Sequence, residues 1–255
     1  AIPEFDGRII APTFAFNEVV DDGDELGHEV RAYRTVPDRT ARVAGIAVRH
    51  ARLRSTPVGR RRVAIVLSAY PTKGSRLGNA VGLDTPTSAI RLLEAMAAEG
   101  YRLDRIPSDG DTLMAELSAG LTYDRETLDD AQLDTAVGRL DRGAYERWFA
   151  TLPEDARNEV TTVWGPAPGT QRVHEDQLVF SGVDLGNVVV AIQPPRGYGD
   201  DPVAVYHSAN LPPVHHYLGF YRWLDDVWGA DAIVHLGKHG TLEWLPGKNL
   251  APSAG

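Results

Sequence analysis

Five consecutive apolar residues, Val188-Val-Val-Ala-Ile192, run straight into Gln193-Pro-Pro195. A run this short, rich in β-branched side chains and without polar alternation, reads as a strand covered on both faces. The paired prolines end it, because neither can donate to a ladder. Arg62-Val-Ala-Ile-Val-Leu-Ser68 has the same character. Two such strands demand covering helices, and the neighbouring sequence supplies them. Asp84-Thr-Pro86 offers an N-cap with proline in the first turn; Ile90, Leu93, Met96 and Ala97 give an apolar face, and Gly100 closes the helix. Tyr101–Ile106 reads as the second strand of a β-loop-α-β unit with a right-handed crossover. Short helices are expected at Asp111–Ala119, Arg125–Leu140, Tyr145–Leu152 and Glu154–Val163, punctuated by Gly120, Gly143, Pro153 and Gly165-Pro166. An aromatic-rich helix at Leu218–Trp228 and a strand at Asp231–His235 follow. This order predicts an α/β fold: a mainly parallel sheet with flanking helices and a helical insertion at about 109–163. The expected organisation is a lead-in segment, 1–60, and an α/β core, 61–255.

Charge is unevenly spread along the chain. Residues 31–62 hold ten arginines and one acid, Asp38, whereas residues 104–155 hold thirteen acids and five arginines. Val43, Ile46/Ala47 and Leu53 recur at helical spacing among the arginines, which predicts an amphipathic helix with either a solvated basic face or a face for a partner. The net charge of −9 argues against general nucleic-acid binding. No apolar run approaches the roughly 18 residues of a membrane-spanning helix, and Ala1-Ile-Pro-Glu-Phe-Asp6 has no signal-peptide pattern. With no cysteine there is neither a disulfide framework nor a thiolate metal site, which fits a cytoplasmic location.

Five of the eight histidines fall between His207 and His239. The sharpest segment, His235-Leu-Gly-Lys-His239-Gly-Thr-Leu-Glu243-Trp-Leu-Pro-Gly-Lys248, leaves the C-terminal end of a predicted strand, where open α/β sheets place their ligands. Gly237 and Gly240 disfavour a helix there, so any convergence of His235, His239 and Glu243 must come from a tight loop. A His-Glu-x-x-His protease is excluded because Leu236 stands where the general base belongs. Another zinc hydrolase remains open, as does the plainer reading that these histidines only hydrogen-bond a turn. The stretch Lys73–Gly82 sits between strand and helix, the usual setting of a phosphate cradle. It lacks both the Gly-Lys-Ser/Thr ending and the Gly-x-Gly-x-x-Gly spacing, so it is read as a loop of close backbone approach to a ligand or another segment.

The His235–Lys248 segment resembles the signature of the large subunits of cobaltochelatase (CobN) and magnesium chelatase. Gly78–Pro86, Gln193–Gly199, Tyr206-His-Ser208, Leu211–Leu224 and Pro3–Gly7 resemble that family as well, so the similarity runs essentially end to end. Lys238 with Glu243-Trp244 favours the cobalt branch. The resemblance implies part of an ATP-dependent enzyme inserting Co²⁺ into hydrogenobyrinic acid a,c-diamide in cobalamin biosynthesis. Co²⁺ would be substrate, with ATP and Mg²⁺ on AAA+ ATPase and integrin-domain-like partner subunits. Family large subunits exceed a thousand residues, so an internal fragment, inactive alone, is expected.

Metal insertion strips waters from the ion and removes pyrrole-type N–H protons, which calls for imidazoles and a carboxylate near the ring. Glu243, His239 and His235 are the candidate catalytic residues and transient metal ligands. His215, His216, Arg196, Lys238, Lys248 and Trp244 are candidates for substrate binding: cations for carboxylates, a ring face for the macrocycle. Competing readings are a non-catalytic tetrapyrrole-binding or docking module, a magnesium chelatase large subunit, and a metal-dependent hydrolase.

Overall fold

The computed structural model describes residues 11–21, 28–68, 79–80, 82–120, 130–197, 208, 210–237 and 245. The chain divides after Ser55 into two compact units. In the first, β1 (Ala15–Asp21) and β2 (Val30–Thr35) form an antiparallel hairpin, followed by helix α1 (Pro37–Ser55). The expected amphipathic stripe is present but shallow: Val43, Ile46 and Leu53 are half-buried, Ala47 is exposed, and no α1 residue is fully buried. Arg39 ties helix to hairpin, with Nη1 donating to the Thr13 carbonyl at 3.4 Å and the guanidinium lying over Phe16.

In the second unit, β3 (Val63–Leu67) leads to a small ribbon of β4 (Asn79–Ala80) and β5 (Leu83–Asp84), then helix α2 (Thr85–Ala98). The predicted signals of α2 operate as expected. Asp84 accepts from the Thr87 N–H at 3.1 Å, and Pro86 lies in the first turn. At the other end Gly100, at φ +87°, donates to Ala97 while Tyr101 donates back to Met96, the paired closure that favours glycine. Next come α3 (Gly110–Ala119), α4 (Asp130–Asp134), β6 (Gly138–Asp141), α5 (Arg142–Phe149) and α6 (Glu154–Trp164). The chain continues through β7 (Val173–His174), β8 (Gln177–Phe180), β9 (Gly182–Asp184), β10 (Val188–Ile192), α7 (His215–Arg222), a π-helical turn at Trp223–Val227, and β11 (Ala232–Leu236).

The fold is α/β, and its central sheet has the order β11-β3-β10-β9. β11, β3 and β10 are parallel, and β9 is an antiparallel edge. Strand alternation sends Val63, Ile65, Leu67, Val188, Val190 and Ile192 to one face, where α2 and α3 cover them with Ile90, Leu93, Leu113 and Leu117. Ala64, Val66, Val189 and Ala191 face the other way, onto Tyr145, Phe149, Phe180, Phe220 and Trp223.

Three local expectations are corrected. Tyr101–Ile106 is not a strand; it makes one bridge, Leu103 to Gly186, because its partner is the short β9–β10 turn and offers no length for a ladder. The described part of the expected Arg125–Leu140 helix stops at Asp134, and Gly138–Asp141 pairs with β8 in an antiparallel sheet, β6-β8-β7. The insertion is thus mixed, not helical, and among the described residues parallel pairing is confined to the central sheet. Helix α5 begins three residues earlier than expected because the Asp141 carboxylate accepts from the Ala144 N–H at 2.8 Å. Asp109 caps α3 in the same way, and Glu116 pairs with both Arg105 terminal nitrogens, so part of the acidic excess serves local structure.

Gly138 lies under the Trp223 indole, and a Cβ there would meet ring carbons at 2.4–2.7 Å. Gly138→Ala is expected to destabilise by about 1–3 kcal/mol through overpacking. Gly45→Ala, mid-helix with open space around it, is expected to gain about 0.5–1 kcal/mol. Thermal or urea unfolding of both variants checks the pair.

Candidate functional site

The parallel strands end level with one another. Ile192 pairs with Leu67, and Leu236 pairs with Leu67 from the other side. The ladder runs one residue further: Ser68 N–H donates to Leu236 at 3.1 Å, and Gln193 N–H donates to Leu67 at 2.9 Å. The described residues at this edge are Ser68, Gln193 with the Pro194-Pro195-Arg196 segment, and His235-Leu-Gly237. Topology therefore brings the ends of these three strands, with Gln193 and His235, to the C-terminal edge of a parallel sheet, the place where such sheets bind ligands. Gly237 is required here by close approach, since a Cβ on it would lie 1.7 Å from the Ser68 hydroxyl oxygen.

Polar side chains replace apolar ones at this edge. Two residues beyond Ala191 on the same strand face stands Gln193, only 2% exposed. Its amide nitrogen donates to the Tyr221 hydroxyl at 2.7 Å and lies 3.4 Å from the Tyr217 hydroxyl. His235 pairs with Val66, and therefore shares the face that carries α7. Its imidazole, half-buried, stacks on the Tyr221 ring with centroids 6.0 Å apart and planes 26° from parallel.

The other candidates within the described residues have different settings. Arg196 is 1% exposed; its Nη2 donates to the Leu211 carbonyl at 2.7 Å, and its own carbonyl accepts from Val214 N–H. It braces the base of the segment that leads into α7. His215 and His216 begin that helix and are buried in the core, where the sequence reading expected groups facing substrate. His215 Nε2 donates to the Gly165 carbonyl at 2.9 Å, so the neutral ring accepts at Nδ1 from the Tyr145 hydroxyl, also at 2.9 Å. His216 Nε2 donates to the Val179 carbonyl at 2.7 Å. Burial pushes the Tyr145 phenol up and the His215 imidazole down. Burial, reinforced by the nearby Arg172 cation, pushes His216 down to about 3. Both imidazoles are thereby held neutral as core hydrogen-bonding groups.

Lys238, His239, Glu243, Trp244 and Lys248 lie outside the described residues, as does most of Lys73–Gly82. Among the described residues no three His, Asp or Glu side chains converge as a metal site, and no helix is long and apolar enough to cross a membrane. The sequence reading missed Gln193, Tyr217, Tyr221 and Ser68 as members of the edge. Their signals were present: Ser68 and Gln193 continue the period-two register of Val66 and Ala191, and Tyr217 and Tyr221 share a helix face at i, i+4.

The CobN/Magnesium Chelatase family model matches residues 1–255. The chain belongs to this family. It is 41% identical over 254 residues to the aerobic cobaltochelatase protein CobN of Pseudomonas aeruginosa, covering 100% of this chain and 20% of that protein. Against the magnesium-chelatase relative from Rhodobacter capsulatus the identity is 30% over 222 residues, covering 86% of this chain and 18% of that one. The solved catalytic subunit of cobaltochelatase from Mycobacterium tuberculosis matches with a TM-score of 0.80 at 47% identity, over 100% of this chain and 21% of that one. The chain spans about a fifth of the length of the relatives it matches.

The buried histidines give a pH signature. In the unfolded chain His216 titrates near 6.5; folded, its pKa lies at about 3. The unfolded state alone takes up the proton between these values, so stability is complete above pH 6.5 and falls as pH drops toward 3. This one group contributes a loss of about 1.4 kcal/mol per pH unit. His216→Phe is expected to flatten the acid limb of a melting-temperature profile while lowering stability at pH 7, where its bond to Val179 is lost.

Proposed function

We propose that this chain is the part of a cobaltochelatase large subunit that carries the metal-insertion site, acting on a tetrapyrrole held at the C-terminal edge of the central sheet. The observation that carries the reading is that β3, β10 and β11 end at one edge, where Gln193 and His235, the first residues of two family motifs, both stand. Higher identity to the CobN relatives than to the magnesium-chelatase relative supports Co²⁺ as the ion. Hydrogenobyrinic acid a,c-diamide is the proposed acceptor. ATP, with Mg²⁺, is hydrolysed on AAA+ and integrin-domain-like partner subunits, in keeping with the absence of a nucleotide signature in Lys73–Gly82.

In this mechanism Co²⁺ arrives hydrated and leaves its waters for imidazole and carboxylate donors before the ring nitrogens take it. His235 and His239 serve as transient ligands or proton relays, and borderline ions suit such N and O donors. Glu243 removes N–H protons from the ring as the metal enters, or hands the metal over. Lys238 and Lys248 meet the peripheral carboxylates, and Trp244 packs on the macrocycle. Arg196, braced against Leu211, sets the base of the Pro194–Val214 segment.

In the intact subunit with its partners, Glu243→Gln keeps side-chain shape while removing charge and basicity. Cobalt insertion is expected to fall roughly a hundredfold or more. Stability should stay within about 1 kcal/mol, and tetrapyrrole affinity should change far less than rate. Wild-type insertion by this variant would remove Glu243 from the mechanism; unfolding would make it a structural residue. The 255-residue chain by itself is expected to give no ATP-driven metallation above a protein-free control, measured by the absorbance of the metallated ring. Tetrapyrrole binding by the intact subunit with insertion unaffected by Glu243, His239 and His235 variants would instead favour a docking module.

A further inference from the structure

We infer that Tyr221 is a positioning residue for His235, a role that rests on the proposed insertion site and extends it to the helix behind the sheet. Tyr221 lies in the last turn of α7, and its ring stacks on the His235 imidazole at 6.0 Å and 26°. The hydroxyl at the far end of that ring accepts from the Gln193 amide at 2.7 Å. Gln193 is held at both ends: its backbone N–H is bonded to Leu67, and its amide nitrogen reaches two phenols, Tyr221 and Tyr217. An amide nitrogen has two N–H bonds, one for each phenol oxygen. Tyr217 is 1% exposed and packs on Tyr221 with centroids 5.3 Å apart.

The chain of constraint therefore runs from the β3–β10 ladder through Gln193 to the Tyr221 ring, and from that ring to the imidazole. His235 sits two residues before Gly237, where the chain passes close against the Ser68 side chain. A strand fixes the His235 backbone but leaves the ring two torsions. The flat face of Tyr221 limits those torsions, and the bond to Gln193 stops the Tyr221 ring from swinging about its own torsions. A ligand or relay imidazole needs such support, because small misplacements of a reacting group cost large factors in rate.

The test uses the full-length subunit with its partner subunits and compares Tyr221→Leu, Tyr221→Phe, Gln193→Met, the double variant Tyr221→Phe/Gln193→Met and His235→Ala. Two readouts are taken: insertion kinetics, and the rate of His235 carbethoxylation by diethyl pyrocarbonate followed by peptide mass spectrometry. Tyr221→Leu removes the stack. It is expected to raise His235 labelling severalfold and to lower the insertion kcat by roughly tenfold to a hundredfold, leaving the tetrapyrrole KM near wild type. Tyr221→Phe and Gln193→Met break the same hydrogen bond. Each should give a smaller fall in kcat, and the double variant should match Gln193→Met, which also removes the contact with Tyr217.

Wild-type labelling and kcat in Tyr221→Leu overturn the inference, as does a lowered melting temperature with neither readout moved. Should Tyr221→Leu fail to fold, the Phe, Met and double variants decide it, and additive losses overturn it. Insertion unimpaired in His235→Ala overturns the proposed role of His235 instead. Labelling alone then shows whether Tyr221 holds the imidazole.

Discussion

β3 and β10 pair in parallel over five residues each, and all ten side chains are buried. Covering both faces of a strand pair removes more apolar surface than a one-sided sheet can, at about 1.5–3 kcal/mol for each fully buried valine, leucine or isoleucine. It also obliges the chain to supply two separate covering layers. The register of this pair, with β11 in step on the far side of β3, ends the three parallel strands at one level. Whatever follows each strand must begin at the same edge.

The two layers differ in chemistry, and the difference bears on the site. Helices α2 and α3 present aliphatic side chains, which need no polar partners. The opposite layer is built from Tyr145, Phe149, Phe180, Tyr217, Phe220, Tyr221 and Trp223 with His215 and His216 among them. Buried phenols and imidazoles must find hydrogen bonds. In this layer they bond to Gly165, Val179 and Gln193, which ties α7 to the carbonyl of a loop, to β8 and to the end of β10. Helix α7 thereby holds a fixed height against the sheet edge, and two of its tyrosines face the residues at that edge.

The buried strands were legible because uninterrupted β-branched runs have few alternatives, and α2 was legible because its caps are local. Segment 101–106 and the stretch around Gly138 were not. Apolar residues at Tyr101, Leu103 and Ile106, or at Val137 and Leu140, fit more than one period, and only the available partner decides among them. For 101–106 the partner was a turn; for Gly138–Asp141 it was β8. The candidate site could be named as motifs but its neighbours could not be read. His215 and His216 read as substrate-binding groups in a histidine-rich stretch, yet the aromatic layer takes both into the core and holds them neutral.

By itself the sequence determined what depends on near neighbours: two strands buried on both faces, a capped helix between them, and the ordered motifs that mark the family. Tertiary structure alone decided what depends on residues far apart in the chain. It aligned the three strand ends, placed His215 and His216 in the core and His235 at the edge, and brought Gln193, Tyr221 and His235 into contact. The physical reason is that caps and turns are satisfied within a few residues, where spacing can be read directly. A buried polar group is satisfied by whatever the fold delivers, and nothing in local spacing names that partner.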